Sequence, residues 1–243
     1  MKETFTKAGR HIDQISADKV LLTKEQDKIN EYRKSLDMNN LENRQAEFIY
    51  DFMINTGLRE GELVTFRLKD CPLYQGTEVI LVHRGKGNRD RTIHISPRLC
   101  KKLQDYIEEV RPKTKPRWVK KEDIKSYVFY DFDRKSFVRI CKVKKKVKNK
   151  KTGEIKEIIK QQIRAKYSLY KMIREIGTEA GLTKRLHPHM LRHTYATNAI
   201  RENKISTRML MAEMGHANIE MTERYINAAS IEMPGLGEAL DNG

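Results

Sequence analysis

Apolar positions along the chain follow two periods, and the switch between them outlines the elements. From 23 to 57 the spacing is helical. Thr23 followed by Gln26 has the form of a capping box and opens a helix through about Ser35. After a polar break around Asp37 to Asn40, a second helix carries Ala46, Ile49, Phe52 and Met53 on one side until Gly57 ends it. A short helix follows in LREGELVTFRLKD, with Leu58, Leu63 and Phe66 facing inward. Between 78 and 95 the period drops to two: EVILVHR and RTIHI alternate as the arms of a hairpin around GKGNRD, which sets Lys86 at the tip. Ser96 and Pro97 suit the N-cap and first turn of a helix whose buried stripe is Leu99, Leu103, Tyr106, Ile107 and Val110. Pro112 and Pro116 mark a loop, and YVFYDF at 127–132 reads as a further short strand.

A second hairpin is expected at about 138–165, with Val143 and Val147 on one arm and Ile155, Ile158, Ile159 and Ile163 on the other, flanking the turn NKKTGE. An amphipathic helix then starts at Ser168 and carries Leu169, Met172, Ile173, Ile176 and Ala180 before Gly181. Met190, Leu191, Ala196, Ala199 and Ile200 return at helical spacing, Ser206 has N-cap chemistry for the next helix, and Gly215 stops it. Asn218 would cap a last short helix holding Arg224 and Tyr225. The predicted fold class is α+β and mostly helical, with a small antiparallel sheet and a β-hairpin insertion. Residues 1–22 read as a tail or linker remnant, 23–230 as one domain and 231–243 as a C-terminal tail.

Charge sharpens this picture. The formal net charge is +16, and the 33 residues from 139 to 171 hold thirteen Lys or Arg against two Glu. An excess of this size calls for a polyanionic partner, with nucleic acid first. Lys142, Lys144, Lys145, Lys146, Lys148, Lys150 and Lys151 make the insertion a basic arm suited to phosphate contacts without base readout. Three cysteines, Cys71, Cys100 and Cys141, are an odd number without metal-type spacing and favour a reducing compartment. No apolar run approaches the roughly 18 residues a membrane helix needs. A cytoplasmic, nucleoid-associated protein is expected, with no membrane partner.

The candidate chemistry lies mainly in HPHMLRHTYATNAIRENKISTRMLMAEMGHANIEMTERY. His189 and Arg192, three apart, share one helical face, and His216 follows the glycine that ends the next helix. His187, His189 and His193 straddle a proline at a spacing that does not aim three ligands at one centre, so no metal site is expected. GKG lacks the remainder of a nucleotide-binding loop. Together, Arg59 in TGLREGEL, Lys86 in GKGNRDR, His189 and Arg192 in HPHMLRHTYAT, His216 in MGH and Tyr225 in ERY resemble the tyrosine recombinase (integrase) family. The resemblance covers roughly residues 23 to 228, and its weight lies in six positions agreeing in type, order and approximate spacing.

Breaking a phosphodiester without metal needs a nucleophile, neutralisation of the non-bridging oxygens, and a proton for the departing oxygen. Arg59 and Arg192 supply the bidentate, always-charged donors, and His216 a further hydrogen bond. Tyr225 is the expected nucleophile and His189 its expected proton acceptor. Lys86 is the expected general acid, a role the resemblance also implies. The resemblance further implies a 3′-phosphotyrosine intermediate with no metal, ATP or other cofactor, and a tetramer on paired DNA sites that exchanges C-terminal segments. It matches Glu62 to an acidic position that orients the site. Members normally carry an N-terminal helical domain that completes a clamp around DNA, for which residues 1–22 offer no counterpart. The rival readings are a DNA-binding module of the same fold that does not cleave, and a type IB topoisomerase-like enzyme that relaxes DNA.

Overall fold

Asn40 caps the helix on which the core is built: its side chain accepts the backbone N–H groups of Glu42 and Asn43, and Gly57 ends the helix at φ 60. The computed structural model describes residues 16–83, 90–148, 155–202, 204–216, 219, 221–222, 224–225 and 229. In chain order the elements are a 3-10 turn Ala17–Lys19, α1 Thr23–Ser35, α2 Leu41–Thr56, α3 Glu60–Thr65, a 3-10 turn Leu68–Asp70, and α4 Pro72–Gln75. Then come β1 Val79–Val82, β2 Arg91–His94, α5 Pro97–Asp105, a π turn Tyr106–Val110, and α6 Arg111–Thr114. The long strands β3 Val138–Lys148 and β4 Ile155–Ala165 precede α7 Tyr167–Glu179, α8 Pro188–Arg201 and α9 Thr207–Met214. This is the expected α+β class, with two separate two-stranded antiparallel sheets, β1–β2 and β3–β4.

The main core gathers α2, α5 and α7 around an aromatic cluster in which Phe48, Phe52, Phe66, Tyr106 and Phe129 pack ring against ring. Phe129 belongs to the stretch expected to be a strand, and here the structure corrects the sequence reading. Residues 127–132 make only isolated bridges, Arg67 with Tyr127 and Tyr130 with Ser136. Their apolar side chains are buried by the aromatic cluster instead of by a ladder, a distinction that a short apolar run does not encode. The expected loop at Pro112 is corrected as well. The helix continues to Thr114 through a wide turn in which the Arg111 N–H donates to the Tyr106 carbonyl. That five-residue step removes the i−4 bond a proline would break, so Pro112 is accommodated.

Two helix starts differ in detail. Thr23 is the first helical residue, not the cap, because Glu25 accepts the Leu22 N–H at 2.8 Å. Gln26 turns its amide to the Leu21 carbonyl and to Asn198. α7 begins at Tyr167, one residue before the expected Ser168. The cap expected at Asn218 lies outside the described residues.

Residues 16–22, expected to be a tail, are a strap laid across α8. Val20 and Leu21 are buried, the Leu21 N–H donates to Thr194 Oγ1 at 2.9 Å, and the Lys184 ammonium donates to the Ala17 and Val20 carbonyls. Val20 belongs to a second, smaller core with Ala196, Ala199, Leu210, Met214 and Tyr225.

The β3–β4 arm is the opposite of a core element. Eleven residues per strand give a ribbon about 35 Å long. Ile140, Ile155, Ile159 and Ile163 are 51% to 67% exposed, and Lys142, Lys144 and Lys146 are exposed beside them. The arm is rooted where the Lys166 N–H donates to the Phe137 carbonyl at 2.7 Å, and its base passes close over Gly61 of α3.

Candidate active site

α8 begins with a proline in its first turn and a histidine cap. His187 Nδ1 accepts the Met190 N–H, and the helix then directs Leu191, Arg192 and Thr194 inward while His189 stays exposed. Arg192 is 3% exposed. One of its terminal nitrogens donates to the Gly57 carbonyl and the other to the Met214 carbonyl at 2.6 Å. It thereby ties the C-terminal ends of α2 and α9, where unpaired carbonyls and the negative end of each helix await a cation. Among the described residues it makes no ion pair. Burial, and then Arg59 close by, lower its pKa to about 9, which leaves it charged at neutral pH.

Arg59 precedes α3, and Glu62 closes a loop onto it, accepting the Arg59 N–H at 2.9 Å and its guanidinium at 3.0 Å. A further Arg59 nitrogen reaches the Gly215 carbonyl at 3.4 Å. Arg91 grips the same carboxylate with both terminal nitrogens at 2.8 Å and donates Nε to the Glu213 carbonyl at 2.6 Å. The hairpin register explains how. Arg91 stands opposite Val82, on the inward face shared with the Ile80–Ile93 pair. Burial alone would raise the Glu62 pKa, but Arg91 and then Arg59 hold it at about 2.

His216 follows the left-handed Gly215 and makes a 2.8 Å hydrogen bond from Nδ1 to Thr222 Oγ1. Its ring lies parallel to that of Tyr225, within 3° and with centroids 6.0 Å apart. Burial, with Arg192, Arg59 and Arg91 around it, lowers its pKa to about 3. Tyr225 is 3% exposed, and its hydroxyl lies 2.9 Å from His193 Nδ1. Burial raises the phenol's pKa while Arg192, Arg59 and Arg224 pull it back. The His193 pKa is lowered to about 4 by burial and by His189 and Arg192.

Of the residues singled out from sequence, Arg59, Glu62, Arg192, His216 and Tyr225 thus meet around the ends of α2 and α9. His189 stands beside them and faces an open cleft of about 1220 Å³, lined also by Arg59, Arg67, Tyr127 and Arg164. Its ring stacks on His193 at 5.8 Å. The contact with the phenol hydroxyl expected of His189 is made by His193 instead. Lys86, Lys150 and Lys151 lie outside the described residues, as do the side chains of Lys145 and Lys148. Sequence reasoning missed the site roles of His193 and Arg91. A signal existed for each: His193 lies one helical turn beyond His189, and Arg91 sits at an inward position of an alternating strand.

Residues 19–231 match the sequence profile of the phage integrase family. The chain belongs to the phage integrase family. Among relatives, it is 26% identical over 183 residues to the tyrosine recombinase XerD of Staphylococcus saprophyticus subsp. saprophyticus, covering 75% of this chain and 50% of the relative. It therefore spans about half the length of that relative. Among solved structures it resembles the XerA recombinase, with a TM-score of 0.61 and 25% identity over 88% of this chain and 63% of that one. It shares its fold with the XerH site-specific recombinase bound to a palindromic difH substrate in a post-cleavage complex, with a TM-score of 0.62 and 19% identity over 90% of this chain and 53% of that one. Among the described residues of this phage integrase family member, no helix is long and apolar enough to cross a membrane.

Proposed function

We propose that this chain is the catalytic part of a site-specific tyrosine recombinase, cutting and rejoining DNA through a covalent phosphotyrosine at Tyr225. One observation carries the reading. The phenol of Tyr225 is held between two imidazoles, 2.9 Å from His193 and stacked on His216, beside guanidiniums that no carboxylate fully neutralises. A phosphodiester entering from the cleft would meet Arg59 and Arg192 at its non-bridging oxygens, with His216 beside them and His189 at the mouth. These donors are fixed before substrate arrives, which is where electrostatic catalysis gains most. Glu62 and Arg91 keep Arg59 in position. Lys86, by resemblance, protonates the departing 5′ oxygen.

The partner is double-stranded DNA, in keeping with the net charge of +16 and with the named relatives. The exposed lysines of β3 lie along its backbone, since a two-stranded ribbon with charge and little base-reading chemistry adds affinity without sequence. The working form is a tetramer on paired sites in the cytoplasm, joined through exchanged C-terminal segments. The strand released from one duplex is replaced by a strand from another, so bond energy is conserved and neither ATP nor metal enters the reaction.

The test is trapping on a nicked suicide duplex, drawn from a randomised pool by covalent capture. The wild-type chain forms an SDS-resistant protein–DNA band, and Tyr225→Phe removes it. A band that persists in Tyr225→Phe would refute the nucleophile. Relaxation of supercoiled DNA without partner exchange would favour the topoisomerase reading instead.

A further inference from the structure

We infer that His193 is the catalytic base of this site, its Nδ1 taking the proton from the Tyr225 hydroxyl as the phenol oxygen attacks phosphorus. The inference rests on the strand-cleavage reading above and adds a residue to it. Among the described residues, three imidazoles compete for the role. His189 is exposed to the cleft and meets His193 rather than the phenol. His216 lies flat against the tyrosine ring, with Nδ1 already engaged by Thr222 Oγ1. His193 alone has a ring nitrogen at hydrogen-bond distance from the reacting oxygen, 2.9 Å, and its ring is tilted by 43° to the tyrosine ring so that an edge meets the hydroxyl.

The protonation state suits the task. For Nδ1 to accept from a phenol, the ring must be neutral with its proton on Nε2. The groups that bear on His193, namely His189, Arg192, His187 and Lys19, are cationic or basic and add to burial in favouring the neutral form. A neutral imidazole waits beside a neutral phenol, and the missing element is negative charge, which the scissile phosphate brings. In the forward step the Tyr225 Oη–H bond breaks and its proton moves to His193 Nδ1. The Oη–P bond forms, the P–O5′ bond breaks, and the departing 5′ oxygen takes its proton from the general acid. The imidazolium left on His193 faces a pocket now holding an anionic phosphodiester. On rejoining, a 5′ hydroxyl attacks the phosphotyrosine, and His193 returns the same proton to the leaving phenol oxygen.

The experiment measures single-turnover formation of the covalent band on the captured suicide duplex. It compares the wild-type chain with His193→Gln, each carrying either tyrosine at position 225 or a ring-fluorinated tyrosine whose phenol ionises near neutral pH. With ordinary tyrosine, His193→Gln slows cleavage by about 10²-fold, the lower range for loss of a general base, and flattens the acid limb of the pH–rate profile. With the acidic phenol the difference shrinks below about tenfold, because an ionised nucleophile needs no base. A packing role would cost the same rate in both backgrounds. Equal losses in the two, or no loss with ordinary tyrosine, would overturn the inference while leaving the strand-cleavage reading intact. A wild-type chain that captures no duplex from the pool would overturn that reading and this inference together.

Discussion

In the pocket, Arg192 is 3% exposed with both terminal nitrogens held by backbone carbonyls; on the arm, Lys142, Lys144 and Lys146 stand in solvent along a ribbon whose base lies against α3. Both regions are cationic, yet only the first changes its neighbours. Out of water, a guanidinium acts at several times the strength it has at the surface, and burial, with Arg192, Arg59 and Arg91 beside it, takes His216 down to about 3. Lysines on the arm are screened within about 8 Å at physiological salt, and what they provide is attraction proportional to the phosphates they meet. Fixed, buried charge suits a transition state, whereas exposed, solvated charge suits a long polyanion.

Removing the fixed charge should have the largest effect. Arg192→Ala is expected to slow covalent-complex formation by at least about 10²- to 10³-fold. It also lowers the melting temperature, because the Gly57 and Met214 carbonyls are each deprived of a buried donor at a cost of about 1–3 kcal/mol. Arg192→Lys recovers little of either, since one ammonium does not span two carbonyls as a planar fork does. Trapping assays and melts separate the two effects, and near-wild-type trapping by Arg192→Ala would dissolve the contrast between pocket and arm.

Next comes the backbone that receives Arg192. Gly57 has φ 60, and a Cβ there would meet the Tyr195 ring. Gly57→Ala should therefore destabilise the fold by about 2 kcal/mol or more in denaturant melts, through strain plus overpacking. A variant as stable as wild type would mean that the α2 terminus adapts easily.

The Glu62 clamp adds a pH signature. Its folded pKa of about 2 lies below the ordinary carboxylate range, so its stabilisation is complete above the unfolded value and fades as pH falls toward 2. His216 and His193 act in the same direction at milder acidity. Their folded values of about 3 and 4 lie below the histidine reference, so folding favours the neutral rings and weakens as the unfolded state begins to bind protons near pH 6.5. Melting temperature against pH should fall in two stages for the wild type. Glu62→Gln should lose the lower stage, with a reduced plateau at neutral pH. A wild-type curve flat down to pH 3 would contradict the assignment.

Smallest is the effect of thinning the arm. Lys142→Ala, Lys144→Ala and Lys146→Ala together should reduce the slope of log affinity against log salt by about 0.9 for each phosphate that is no longer neutralised. The single-turnover rate at saturating DNA should stay unchanged. A large fall in that rate would place the arm within the chemistry and blur the comparison.

The site was more legible than its surroundings. Arg59, Glu62, Arg192, His216 and Tyr225 could be named because each sits in a short pattern of type and order that folding only had to bring together. His193 was hidden by the same logic: in sequence it was weighed only within a histidine cluster unsuited to a metal, and the tertiary placement of Tyr225 is what sets its Nδ1 against the phenol hydroxyl. Among elements, the amphipathic helices and both hairpins could be read from periodicity. The 127–132 stretch could not, since Phe129 is buried by rings contributed from α2 and from the π turn, and an apolar run does not say what will cover it. The strap was missed for a related reason, as Val20 and Leu21 are two apolar residues without a period.

That strap sets an order of events. Val20 and Tyr225, from opposite ends of the described chain, meet in one small cluster, and Leu21 is hydrogen-bonded to Thr194, two residues beyond Arg192. Contacts between such distant positions close the longest loops and reward the chain only after the intervening structure has formed. Until residues 16–22 lie against α8, the cluster that seats the Tyr225 phenol lacks one of its walls.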